Sequence, residues 1–235
     1  MNCDIKISII IPARNESSGL SKILEFLCSV SGREHIAEII VSDGQSSDDT
    51  VDIARSYGAI VVLNVRPGRA IQMNTGAVQA TGDVLYFLHA DSIPPASFVR
   101  QVIQKIDDGY DAGCFRLKFD HNHWFLQANA WFTRFNINAV RFGDQSLFVK
   151  RKLFQDIGCF RDDLIIMEDQ EIVYRICKKG RFGIIGDYVT TSARKYRVNG
   201  VYRMQAIFFY IYFSYIFGQD QQKLVAKYKK HIKTG

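Results

Sequence analysis

Four short apolar runs each lead into groups able to do polar chemistry. KISIIIPA runs into Arg14 and Glu16, AEIIVSD ends on Asp43, AIVVLNV leads through RPGR into Arg69, and DVLYFLHADS ends on His89, Ala90 and Asp91. Acids and bases gathered on one rim suit a ligand with a polar base to hydrogen-bond and phosphates to neutralise. A lone Asp after such a run serves equally well as a helix cap, and Asp91 or Ser92 stands just ahead of the helix-like IPPASFVRQVIQKI. Neither G-x-G-x-x-G after a strand nor G-x-x-x-x-G-K-[ST] occurs, which argues against a dinucleotide fingerprint or a P-loop. Without those loops, a diphosphate needs a metal ion together with Lys or Arg, and the hard carboxylate of Asp91 suits Mg2+ or Mn2+.

These residues can meet only if the runs before them are neighbouring strands. Each run is short, apolar and rich in β-branched residues, as strands buried on both faces are. Helical segments separate them. In SSGLSKILEFLCSV, Leu20, Ile23, Leu24 and Leu27 fall at helical spacing behind Ser17 and Ser18 as caps; SSDDTVDIARSYG closes at Gly58; GRAIQMNTGAVQATG puts Ala70, Met73 and Ala77 on one face. Four alternations predict a parallel sheet covered by helices, with ligands at the carboxyl ends of the strands. After Ser92 the rhythm changes. AGCFRLKF (112–119) alternates like a half-exposed strand, HWFLQANAWFTRFNINAV reads as an aromatic helix, a helix runs from Glu168 to Lys179, and FGIIG and YVTTSARKY read as short strands. No repeat or flexible linker intervenes, so the second half is expected to pack on the same sheet.

The chain has 235 residues, enough for one large domain with a proper core. Its cysteines, Cys3, Cys28, Cys114, Cys159 and Cys177, are odd in number and form no C-x-x-C pair, which points to a reducing compartment. The start enters a strand without a signal-peptide pattern, so the cytoplasm is expected. The net charge of +6 is uneven: residues 194–235 hold nine Lys or Arg against the single acid Asp220. The body itself is not basic, so a nucleic-acid partner is not expected, and the basic end suits anionic lipid.

IIPARNE, VSDGQSSDDT, GRAIQMNTGA, GDVLYFLHADS and MEDQEIVYRI follow in the order and spacing of glycosyltransferase family 2, which the chain resembles over about residues 6–180. The GRAIQMNTGA, LHADS, GDQ and TSAR segments are most similar to a small bacterial subgroup, the selenodomain-associated transferases. The resemblance implies an α/β, GT-A-like fold and transfer of sugar from a nucleotide-diphospho-sugar, a UDP-sugar being favoured, to an acceptor hydroxyl. Inversion and a divalent cation, Mn2+ or Mg2+, are part of that expectation. Residues 1–199 would form the catalytic domain, with a donor half over about 1–92 and an acceptor half over about 93–199. An aromatic helix and basic tail, 200–235, would follow.

By the same resemblance Pro12, Arg14 and Glu16 fall where the family's first loop meets the nucleotide, Asp43 where an acid accepts the N–H of a uracil-like base, and Arg69 where a basic residue approaches the donor. Asp91 matches the last acid of the family's D-x-D, which holds the metal, and Asp169 matches the catalytic base. The chain departs from the pattern at His89, which stands in place of the first D-x-D acid. Imidazole suits Mn2+ better than Mg2+, and His89 could instead hydrogen-bond a ribose or merely end the strand.

Other residues keep two readings. Glu168 and Asp169 suit the acceptor side, or are first-turn acids favoured by a helix dipole. Asp144 in RFGDQSLF orders the acceptor pocket or makes a turn, and Arg194 reaches a phosphate or is a solvated charge. His121 and His123 have strand-ligand spacing but no third partner and are expected at the surface. Trp124, Phe125, Trp131, Phe132 and Phe135 are expected in the core, an acceptor platform being their other reading. The uncharged MQAIFFYIYFSYIFGQ (204–219) is too short to span a membrane. It is expected to be buried, in the domain or a homodimer contact, or to lie on a membrane beside a lipid-linked acceptor. Two rival functions stand: a sugar nucleotidyltransferase, which would need a basic glycine-rich loop, and a non-catalytic nucleotide-sugar binder.

Overall fold

The computed structural model describes residues 5–141 and 143–232, so Cys3, Phe142 and Lys233 lie outside the described residues. The first half alternates as its apolar periodicity requires: β1 Ile7–Ala13, α1 Ser17–Ser29, β2 Ile36–Asp43, α2 Thr50–Ser56, β3 Ile60–Leu63, α3 Arg69–Gln79 and β4 Val84–Phe87. The strands β3-β2-β1-β4 are all parallel, so their carboxyl ends share one edge. In register, Ala13 of β1 faces Asp43 of β2, and Asp43 faces Leu63 of β3. Leu20, Ile23, Leu24 and Leu27 of α1 are buried on one side of the sheet, and Ala70, Met73 and Ala77 of α3 on the other. At roughly 25 cal/mol per Å2, each buried leucine contributes about 2 kcal/mol.

The second half adds β5 Ser92–Ile93, α4 Phe98–Asp107, β6 Ala112–Phe119, α5 Trp124–Phe132, β7 Phe148–Lys150, α6 Arg151–Asp156, α7 Glu168–Lys179, β8 Phe182–Thr191, α8 Arg194–Asn199, α9 Val201–Ile216 and α10 Gln221–His231. One eight-stranded sheet runs β3-β2-β1-β4-β7-β6-β8-β5 through both halves. β7 is antiparallel to β4 and β6, and β6 is parallel to β8.

Several expectations are corrected. FGIIG and YVTT form one strand, β8, whose register with β6 shifts between Phe115 and Arg116, where Gly186 and Asp187 bulge out. Arg194 opens a helix instead of continuing that strand. The aromatic helix stops at Phe132, because the chain must then fold around the buried guanidinium of Arg141. That group donates to Thr133 O and Gln145 Oε1 at 3.0 and 3.2 Å, and also to Phe135 O. Trp124, Trp131, Phe132 and Phe135 are exposed and outside the core; only Phe125 of that set is half-buried. His123 caps α5, its Nδ1 accepting from Phe125 N.

Candidate functional site

The loops leaving the parallel strands are tied to one another by their own polar groups. Asn15, in the left-handed region at φ 53°, donates its N–H to Ser46 Oγ at 2.9 Å, and its Oδ1 accepts from Ser47 N at 2.8 Å. Glu16 N and Ser17 N donate to Thr50 Oγ1 and Asp48 Oδ2. Gln72 of α3 donates to both Ala13 O and Ser42 O at 2.8 Å, which locks the ends of β1 and β2 together. A Cβ at Gly44 would lie 2.8 Å from Gln72 Nε2, so any larger residue here would displace the amide that makes these two bonds.

Asp43 sits at the end of β2, buried, with Oδ2 accepting from Gln45 N and Ser46 N at 3.0 and 3.1 Å. Its Oδ1 is also buried and has no hydrogen-bond partner among the described residues. A buried acceptor without a donor is costly, so this atom is free to accept an N–H or O–H brought to the strand end.

The segment after β4 is held from two sides. β5 pairs with the end of β8, Asp91 O accepts from Ser192 N at 3.1 Å, and Gly19 of α1 lies against Ala90 O. Neither Asp91 nor Ser92 caps α4, which begins six residues later, behind Ser97. Instead His89, Asp91 and Asp144 bring one ligand atom each within 4.8 Å of one another. His89 Nδ1 and Asp144 Oδ1 are 2.8 Å apart. Burial and the Arg69 charge work against protonating His89, but the Asp144 hydrogen bond and the Asp144 and Asp169 charges raise its pKa. Burial pushes Asp144 up, yet the His89 hydrogen bond and the His89 and Arg69 charges hold it at about 2. An imidazole with two carboxylates is a donor set that fits a divalent cation, Mn2+ better than Mg2+.

Asp144, expected on the acceptor side, therefore stands in contact with the His89-Ala90-Asp91 strand end. Two residues C-terminal to the buried Arg141, the chain passes through Gly143 at the closest point of the site. A Cβ there would sit 2.3 Å from Asp169 Oδ2 and 2.7 Å from His89 Cε1. Glycine lets the acid of α7 and the end of β4 approach one point.

α7 starts behind Met167 and carries Glu168, Asp169 and Glu171 in its first turn, where the helix dipole favours acids. Arg69, the first residue of α3, reaches across: its Nη1 lies 3.3 Å from Glu168 Oε1 and 3.6 Å from Asp169 Oδ2. Burial works against the Arg69 charge, but Glu168, Asp169 and Asp144 outweigh it and raise its pKa. Glu168 is 3% exposed; burial first and the Asp169 charge second push its carboxyl up to about 7, against the pull of Arg69.

A folded pKa raised above the ordinary 4.5 means the fold favours protonated Glu168. Its contribution is complete below about pH 4.5 and is lost as pH rises through about 7. Thermal stability is expected to fall across that window by on the order of 3 kcal/mol from this group. Glu168→Gln should flatten the slope, leaving the part of the same sign that the raised pKa of His89 adds. Melting curves between pH 4 and 8 check this; an unchanged slope in the variant assigns the titration elsewhere.

Among the other residues singled out in the sequence, Pro12 is half-buried near the end of β1 and Arg14 is exposed on the rim. Arg194 Nη2 pairs with Glu16 Oε1 at 3.1 Å, so the start of α8 is fastened to the first loop. Sequence reasoning missed Gln72, Asn15 and Gly143. Gln72 looks like any polar helix residue, and the need for glycine at 143 arises only from contacts with residues far away in the chain.

Comparison with known proteins agrees with this arrangement. Residues 8–161 match the family model described as glycosyl transferase family 2. An undecaprenyl-phosphate 4-deoxy-4-formamido-L-arabinose transferase of Klebsiella pneumoniae is 33% identical over 116 residues, 45% of this chain and 35% of that protein. In five such curated relatives the matches span 35% to 57% of their own lengths. Two solved structures share the fold. The mannosyltransferase PcManGT of Pyrobaculum calidifontis, in complex with GDP-Man and Mn2+, has a TM-score of 0.70 at 18% identity over 86% of this chain and 61% of that one. TarS 1-349 of S. aureus, in complex with UDP-GlcNAc, has a TM-score of 0.67 at 18% identity over 80% and 58%. The sheet and its helices are thus the GT-A arrangement.

Proposed function

Because the chain belongs to glycosyl transferase family 2, we propose that it moves a sugar from a nucleotide-diphospho-sugar, a UDP-sugar, to an acceptor hydroxyl with inversion. The observation that carries the reading is the convergence of both halves of the chain on Gly143, where Asp169 Oδ2 of α7 and the His89 ring at the end of β4 both crowd the space that a Cβ would fill. An acid brought from the second half to the strand ends of the first is what in-line displacement needs.

In this reading the rim of Pro12, Arg14 and Glu16 meets the nucleotide, and the unpartnered Asp43 Oδ1 accepts the N–H of its base. Arg69 holds positive charge beside the donor. His89, Asp91 and Asp144 would hold the divalent cation, which supplies charge for the departing diphosphate. Asp169 takes the proton of the acceptor hydroxyl as the new bond forms on the face opposite the leaving group. Glu168, kept towards its protonated form, adds less negative charge beside it, so the two neighbouring acids are set to different tasks. Arg194, fastened to Glu16, stands where it can pass to a phosphate of donor or acceptor.

The GRAIQMNTGA, LHADS, GDQ and TSAR segments support placing the chain with the selenodomain-associated transferases. The lipid phosphate named for the Klebsiella relative supports a lipid-linked acceptor and a place on the inner face of the membrane.

A thermal-shift panel of UDP-, GDP- and dTDP-sugars with and without Mn2+ tests the donor. The expected result is a rise in melting temperature with one UDP-sugar that depends on Mn2+. No rise with any nucleotide-sugar, together with pyrophosphate release from CTP or UTP and a sugar phosphate, would replace transfer with nucleotidyl transfer.

A further inference from the structure

No helix among the described residues is long and apolar enough to cross a membrane. The sixteen residues of α9 span about 24 Å at ~1.5 Å per residue. The helix is buried on one side only. Met204 and Ile211 face inward, whereas Tyr202, Phe209, Phe213 and Ile216 are spaced to line the opposite side and are each about half exposed, with Tyr210 and Phe217 at its edge. Ordinary amphipathic helices turn charge outward; this one turns aromatic rings outward.

A second apolar strip adjoins it. Trp124 and Trp131, seven residues apart on α5, share a face and are 66% and 47% exposed. The rings of Trp124 and Tyr202 lie 6.5 Å apart, so the strips meet. On the other flank α10 packs along α9, with Lys227 Nζ 4.3 Å over the ring of Tyr210. Lys223 and Lys230 share the face of α10 that Lys227 occupies. The rings and the lysines therefore form one contiguous surface, with a single acid, Asp220, in residues 194–235.

We propose that this α5–α9–α10 surface lies on an anionic lipid bilayer. Trp and Tyr prefer the headgroup level, apolar rings enter just below it, and a basic helix beside them meets negative lipid. Charge complementarity selects lipid over a second copy, because an isologous dimer through the same patch would bring two lysine-rich helices into one interface. The surface also abuts the site. Tyr212, Tyr215 and Ile216 of α9 line a cavity of about 180 Å3 together with Gln170 and Glu171 of α7, next to Asp169. Docking thus places the acid-bearing turn of α7 beside the membrane; only this last point rests on the transfer reading.

The test uses the full chain, without donor or turnover, so its failure is separate from failure of the transferase assignment. Flotation is run with phosphatidylcholine vesicles and with vesicles that also contain phosphatidylglycerol, at low and high salt. The chain's two tryptophans both lie on the surface, so their emission should shift to the blue on binding. Binding to the anionic vesicles, weakened by salt, is expected. Lys223→Gln/Lys227→Gln/Lys230→Gln should weaken it by about fivefold per lysine, and Phe209→Ser/Phe213→Ser should weaken it while removing exposed apolar area that folding does not use. No binding at low salt overturns the proposal. So does a dimer seen by light scattering that Phe209→Ser/Phe213→Ser dissolves, or vesicle binding that the lysine variant leaves unchanged.

Discussion

Asp169→Asn is expected to slow sugar transfer by about 10^2–10^4-fold, the usual worth of a positioned general base, while donor affinity stays near that of the wild type. Asn keeps the size and one oxygen of the side chain, so Gly143 and Arg69 retain their neighbour. What it loses is the capacity to take a proton, which matters in the transition state and little in the ground state. The variant should also be more stable at neutral pH. The Asp169 charge is one of the causes that raise Glu168, and removing it lets the buried Glu168 ionise beside Arg69 at lower cost. The measurements are single-turnover release of nucleoside diphosphate from the donor that the thermal-shift panel selects, and a melting curve. Transfer at the wild-type rate would mean that another residue takes the proton.

The second large effect concerns the strand end. With donor at ~100 times its Kd, a ligand stabilises the fold by about 2.7 kcal/mol, or about 5–10 °C for a domain of this size. Asp91→Ala is expected to lose the Mn2+-dependent part of that rise entirely. Titration of Mn2+ alone, followed by its electron paramagnetic resonance signal, separates loss of metal from loss of sugar contacts. His89→Ala and Asp144→Asn should each weaken Mn2+ as well, because the three ligand atoms lie within 4.8 Å of one another. Full Mn2+ affinity in both of those variants, with loss confined to Asp91→Ala, would reduce the site to one protein ligand.

Much of the donor half was legible from the chain. Alternating apolar runs and helical faces are local patterns, and parallel strands must deliver their loops to one edge. That reasoning placed Asp43, Arg69 and Asp91 on a common rim, and the sheet order β3-β2-β1-β4 follows it. The acceptor half was less legible. Trp124 and Trp131 read as core residues because sequence reports hydrophobicity but not the direction in which a helix face turns. Strand β8 read as two pieces because a bulge breaks alternation without breaking the strand.

The sequence by itself therefore determined the α/β alternation, the family, the rim of charged strand ends and the excess of positive charge in the last forty or so residues. Only the tertiary structure decided that Asp144 joins His89 and Asp91, that Arg69 of α3 reaches Glu168 and Asp169 of α7, and that the aromatic side of α9 faces outward. The reason is range. Propensity and periodicity act over a few residues, whereas these groupings link positions 53 to 100 apart and depend on how β7 inserts antiparallel beside β4 and which helix faces remain uncovered.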